Sequence, residues 1–342
     1  MPAAGGGILM KRTAATISGC TISANRAGDG AYGGLAGGIA CLNSDMQVRT
    51  CVICDNVAGD GCDYAVGGGI YIGQGDFSSN YGDEPGIGGN LYLIEITDSL
   101  IAGNMAGSED TILAAGGGVG MGRYEFVQPD LIGDLLDAAV DEPGGLDDNL
   151  GTVLTNCTIS GNAATNSDDS SSGGGITNTG SKTLAVNFCT VTENESSYAA
   201  GLSNLFPNEG QLAPGGCQPK LRLKNSIIAG NDSTEGGPDI DGNWMSWDGN
   251  VIGGGPRPIA PEPGDCYNGG CGDIYSSDPL LGLLADNGGP TMTHALLPGS
   301  PAIDAACDCR AIGLVFYDPE EPAEVQEVLI EDDQRGSVRP AV

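Results

Sequence analysis

Basic residues are scarce in this chain: four lysines and nine arginines stand against 45 acidic residues, for a formal charge of −32. Such a surface repels nucleic acid and anionic lipid, so neither is expected as a partner. It also repels polyanions such as pectate unless metal ions bridge the two. The charge reads either as solubility, including in a salty habitat, or as acidic loops that collect cations. Histidine is nearly absent, with one in the whole chain, and aromatics make up 5%. No stretch approaches the ~18 uncharged apolar residues of a membrane span. MPAAGGGILMKR lacks the apolar core of a secretory signal, so the chain reads as a mature portion or fragment of something longer. Leu-rich amphipathic stretches are few, which argues against a helical protein.

Glycine is plentiful instead, at 59 of 342 residues, and with Asn, Asp, Ser and Thr it points to many short strands joined by turns. A hydrophobic content of 40% still supplies a core. Internal repeats settle how that core is laid out. SGCTISAN, TCVICDN, DSLIAGN, NCTISGN, FCTVTEN and NSIIAGN superpose without gaps and end at Asn25, Asn56, Asn104, Asn162, Asn194 and Asn231. Three residues before each stands Ile22, Ile53, Ile101, Ile159, Val191 or Ile228. Five before stands Cys20, Cys51, Ser99, Cys157, Cys189 or Ser226, and eight before stands Ile17, Val48, Ile96, Leu154, Val186 or Leu223.

Alternation up to position −8 marks a strand with one buried face, and the slip of phase to −5 and −3 marks a corner into a second strand. The Asn is expected to turn the chain, since it tolerates left-handed conformations. A third strand follows at Gly-Gly before Ile39, Ile70, Val119 and Ile176, with Leu202 in the same place after a shortened loop. The minimal period is 31 or 32 residues (Asn25 to Asn56, Asn162 to Asn194). These features predict an all-β, right-handed parallel β-helix of the pectin-lyase-like, single-stranded solenoid kind, with three short strands per coil. Coils are expected over residues 1–235, with further coils and a capping region over 236–342. Gly5-Gly6-Gly7-Ile8 is already a third strand, so the first coil is incomplete: either more chain preceded Met1, or this open edge stacks on a partner such as another copy.

Twelve cysteines suggest a disulfide or zinc scaffold, but four of them share the inward column with two serines and read as small core residues. Cys51 and Cys54 lie on opposite faces of one strand, which speaks against a redox or metal pair. Cys266 and Cys271 in CYNGGC are positioned to close an exposed loop, with Cys307 or Cys309 as further partners. The long intervals between third strand and next Asn place insertions at roughly 73–90, 122–150 and 203–220, all leaving one corner. The middle one contains a short amphipathic helix, Leu131 to Glu142, by its pattern. Inserted loops of a solenoid commonly form its binding face, and Tyr81, Tyr124, Phe126 and Phe206 are the candidate contacts there. Alternatively, the loops merely cover an edge.

The chemistry of polysaccharide cleavage has no clear seat. Glycosidases need two carboxylates about 5–10 Å apart, whereas Asp168/Asp169 and Asp239/Asp241 lie in loops at no shared column. Lyases need a base beside an acidic cation site, and no lysine or arginine falls on a strand column with acidic neighbours. No catalytic residue, cofactor or metal site is therefore assigned. His294 reads as structural. AGDG at 27–30 and 58–61 lacks the nonapeptide rhythm of calcium-binding repeats and leaves room only for weak Ca²⁺ binding.

The Ile-x-x-Asn and Gly-Gly-Ile pairing resembles the repeats of chlamydial polymorphic outer-membrane proteins. From about residue 221, NSIIAGN, PDIDG, GNVIGG, GDIYSSDPLLGLLADNGGPTMTHALLPGSPAIDA and DQRGSVRP resemble the closing region of the choice-of-anchor Q family of bacterial β-helix surface proteins. That resemblance covers nearly the whole chain and implies a secreted or surface-displayed protein carrying a sorting signal after its β-helix. Residues 307–332 are a longer insert before DQRG than the family pattern leads one to expect, and no sorting signal is visible before Val342. The resemblance implies a non-catalytic extracellular role in adhesion, a surface layer or a fibre, with glycans or further copies as partners. The alternative is a carbohydrate-active enzyme or polysaccharide-binding module of the pectin-lyase-like class.

Overall fold

The repeat columns of the sequence are the columns of the structure. A computed structural model describes residues 3–29, 33–74, 92–123, 150–179, 183–205, 221–256, 272–306, 310–312 and 327–339. Ile22, Ile53, Ile101, Ile159, Val191, Ile228 and Ile252 lie directly over one another in a parallel ladder. Ile17, Val48, Ile96, Leu154, Val186 and Leu223 form a second such column. Ile8, Ile39, Ile70, Val119, Ile176, Leu202 and Ile240 form a third. Their inward side chains merge into one continuous core. Each coil thus satisfies its backbone and buries its apolar face only through its neighbours, which makes this a parallel β-helix. No helix occurs among the described residues, so none is long and apolar enough to cross a membrane.

The three strands of each coil build sheets of seven, seven and eight strands, here called the glycine sheet, the long sheet and the isoleucine sheet. Two narrower parallel ladders add to them. One follows the asparagines (Arg26–Ala27, Val57–Ala58, Met105–Ala106 and onward), and the other precedes the glycine pair (Ala3–Ala4, Gly34–Leu35, Tyr64–Val66, Leu113–Ala115). Coils 1 to 6 are named here by their asparagines, Asn25 to Asn231.

The turn expected at each Asn belongs to the residue before it. Ala24, Asp55, Gly103, Gly161, Glu193 and Gly230 all have φ between 54° and 73°, whereas Asn56, Asn104, Asn162 and Asn194 are buried inside the coil. A carboxamide pointing inward is better placed to bond coil to coil than to turn its own backbone. The glycine pair is the counterpart of that ladder. A Cβ on Gly38, Gly69, Gly118, Gly175 or Gly201 would lie no more than 3.1 Å from the amide of Asn56, Asn104, Asn162, Asn194 or Asn231. A Cβ on the preceding Gly37, Gly68, Gly117 or Gly174 would strike the backbone that follows the asparagine. The two motifs are therefore the two sides of one close contact.

After Ile274–Tyr275, the last strand of the isoleucine sheet, the chain leaves the stack. It then runs back along the outside toward coil 3 as two antiparallel hairpins, Leu281–Ala285 with Thr293–Leu296 and Arg310–Ile312 with Glu327–Leu329. The second hairpin lies against the long sheet at Thr183–Asn187 and Leu221–Lys224.

Candidate functional site

All three insertions fall between the end of a glycine-sheet strand and the start of a long-sheet strand. They join Ile70–Gln74 to Tyr92–Thr97, Val119–Arg123 to Leu150–Thr155, and Leu202–Leu205 to Leu221–Lys224. Tyr92 pairs with Leu150 and Leu184 with Leu221, so the re-entry strands stack along one corner. Tyr81, Tyr124, Phe126 and Phe206, the stretch from Leu131 to Glu142, and Cys266, Cys271, Cys307 and Cys309 lie outside the described residues.

Among the described residues, the arrangement closest to reactive chemistry surrounds the sole histidine. His294 Nε2 lies 2.9 Å from Ser160 Oγ, and its Nδ1 lies 2.7 Å from the carbonyl of Gly282. A carbonyl only accepts, so Nδ1 donates to Gly282, and the Ser160 hydroxyl lies within hydrogen-bond reach of both Nε2 and, at 3.3 Å, Glu193 Oε2. Glu193 Oε2 stands 3.9 Å from Nε2. Base and hydroxyl are at the distance of an activated serine, yet Ser160 is 2% exposed and the His294 side chain 0%. A substrate carbonyl has no approach to Oγ. The pair instead pins the closing segment to coil 4.

Further polar contacts continue that seam. Gln334 accepts from Thr158 Oγ1 at 2.8 Å and donates to Thr291 Oγ1 and to the carbonyl of Ser99. Asn156 donates to the carbonyl of Asp332 and accepts from Arg339, whose guanidinium lies 4.0 Å over the Phe188 ring. DNGGPT, the stretch around His294 and DQRG thus converge on the outside of coils 3 to 5. Burial there raises the Asp98 carboxyl above its ordinary range, opposed by its hydrogen bond from Asn156.

The acidic AGDG turns hold a guanidinium. Arg26 bonds Asp29 at 3.0 Å and Asp60 at 2.6 Å on an exposed face. No group of three metal-ligating side chains occurs among the described residues. Cys20, Cys41, Cys51, Cys54, Cys62, Cys157 and Cys189 are free thiols. Burial raises Cys51 and Cys157, and raises Cys54 to about 11, its neighbour Asp55 adding to the shift. Such thiols are poor nucleophiles and poor metal ligands at neutral pH.

Inside the coils run two ladders of polar side chains. Asn25 Nδ2 donates to Asn56 Oδ1, and the pattern repeats through Asn104, Asn162, Asn194 and Asn231 at 2.8–2.9 Å. Each amide from Asn56 onward also donates to the carbonyl of an isoleucine-column residue one coil back, from Ile22 to Val191. In the cysteine column the backbone N–H of Cys51 donates to Ser99 Oγ, that of Cys157 to Cys189 Sγ, and that of Cys189 to Ser226 Oγ. Sequence reasoning found both columns but not their bonding, because residue identity does not reveal which way an amide points. No family model, curated protein or solved structure matches the chain.

Proposed function

We propose that this is a non-catalytic β-helix protein of the bacterial cell surface or extracellular space, serving adhesion or a structural surface layer. The observation that carries the reading is the closing segment. The residues that resemble the choice-of-anchor Q family are used as fasteners: His294 on Ser160, Thr291 on the carbonyl of Asp98, and Gln334 on Thr158. Their role is to hold a segment against the solenoid. The acidic surface, at −32, suits an exposed and soluble display. The binding face of this reading is the inserted-loop corner, with glycans as ligands.

A glycan array at millimolar Ca²⁺, run beside a reducing-sugar assay on uronic-acid polymers, tests it. Glycan binding without release of reducing ends is the expected result. Turnover of any polymer would sink the reading in favour of a carbohydrate-active enzyme.

A further inference from the structure

We infer that Asp239 and Asp273 are dedicated terminators of the two inner ladders, carboxylates placed where a run of aligned donors needs an acceptor and nothing beyond it. The asparagine ladder has a direction. Every Oδ1 accepts from the coil before and every Nδ2 donates to the coil after, so the side-chain amide dipoles point one way and the row ends in unmet N–H donors. At coil 6 the backbone N–H and the Nδ2 of Asn231 both donate to Asp239 Oδ1, each at 2.9 Å.

Asp239 does not come from the asparagine column. Leu202 pairs with Ile240, which places Asp239 level with Gly201, at the glycine position of the next coil. The register of Ile228 on Ile252 brings Gly255 to the asparagine slot, and a Cβ on the neighbouring Gly253 would collide with the Asp239 carboxylate. The acid thus fills a slot left empty by glycines. A negative group at the donor end of aligned dipoles is favourable for the reason that it is at a helix N-terminus.

The second ladder ends on the same kind of acceptor, here from its own column, since the register of Val251 on Ile274 sets Asp273 level with Asn250. Ser226 N–H donates to Asn250 Oδ1, and then the N–H and Nδ2 of Asn250 donate to Asp273 Oδ1 at 3.2 and 2.9 Å. Ser246 Oγ adds a third bond at 2.8 Å. Within a ladder an aspartate cannot do what an asparagine does, because it has no N–H to pass on. At the end of a ladder an asparagine would bring further N–H groups to half-buried positions where donors already converge.

The test is an exchange of the same atoms at opposite positions in the full chain: D239N and D273N at the ends, N104D in the middle. D239N and D273N are each expected to lower the thermal midpoint by about 2 °C or more at pH 7, and N104D by more than either. Hydrogen exchange read by mass spectrometry should speed up at Asn231 in D239N and at Asn250 in D273N, with the Asn56 region unchanged. D239N and D273N at or above the wild-type midpoint, or exchange unchanged at Asn231 and Asn250, would overturn the assignment. Should N104D fail to fold, the two terminal variants still decide it.

Discussion

Coils 1 and 2 and coils 3 to 5 are built from the same columns, yet their outer faces differ. On the isoleucine sheet Thr21 and Ser23 are exposed and Val52 and Cys54 half-buried, whereas Leu100, Thr158 and Ser160 are buried to 2% or less. The inward residues barely change along the stack. What changes is the returning closing segment, whose described residues bond back as far as Asp98 and Ser99. Stacking alone thus leaves an outer face wet, and a second layer of non-local polar contacts is needed to close it.

The sharpest break of this comparison is Ile159→Asp against Ile22→Asp. Both put an unpaired carboxylate in the same column, but Ile159 is fully buried in coil 4 and Ile22 in coil 1 is 7% exposed. Ile159→Asp is expected to cost on the order of 5 kcal/mol and to unfold the middle coils, with Ile22→Asp costing less than half as much. Equal thermal midpoints for the two variants would show that depth along the stack does not matter.

His294→Ala comes next. It removes the contacts to Ser160 Oγ and to the Gly282 carbonyl, leaves Ser160 only its 3.3 Å contact to Glu193, and should cost about 1–3 kcal/mol. Exchange should accelerate in residues 158–160 and not in residues 21–23; equal acceleration in both would mean the closing segment has no local grip.

The smallest effect concerns pH. Burial raises the Asp98 carboxyl above its ordinary 3.8, so the folded chain takes up this proton before the unfolded chain does. Stability through Asp98 therefore rises as pH falls through the folded value and levels off below the ordinary one. Wild type should gain on D98N between pH 7 and pH 4, seen as a narrowing gap in thermal midpoint if D98N is the more stable at neutrality. A gap that moves the other way would reverse the sign.

How much of this was legible in the sequence follows from what each contact repeats. The three inward columns recur in every coil, so alignment on the asparagines recovered the fold and its register. The two narrow ladders escaped because strands such as Arg26–Ala27 are too short to alternate. The left-handed residue before each Asn escaped because Ala24, Asp55 and Glu193 interrupt the glycines of the other coils. The seam of His294, Gln334 and Arg339 makes each of its contacts once, so it has no period to detect. Only the bare presence of a lone histidine among glycines and prolines marked it, and its reading as structural agrees with its place between Ser160 and Gly282. The candidate aromatic contacts rest on the insertion corner alone.

The returning segment also sets an order of events. A coil can form as soon as its neighbour exists, so the solenoid is free to grow locally from any nucleus. The contacts of Gln334 with Ser99 and of Arg339 with Asn156 span 235 and 183 residues, and such loops close slowly. During synthesis the isoleucine sheet of coils 3 to 5 is complete well before residues 291–339 emerge, and its outer threonines and leucine wait uncovered. Docking of the closing segment is then a later step than the stacking of coils 3 to 5, and until it happens this face stands open to solvent.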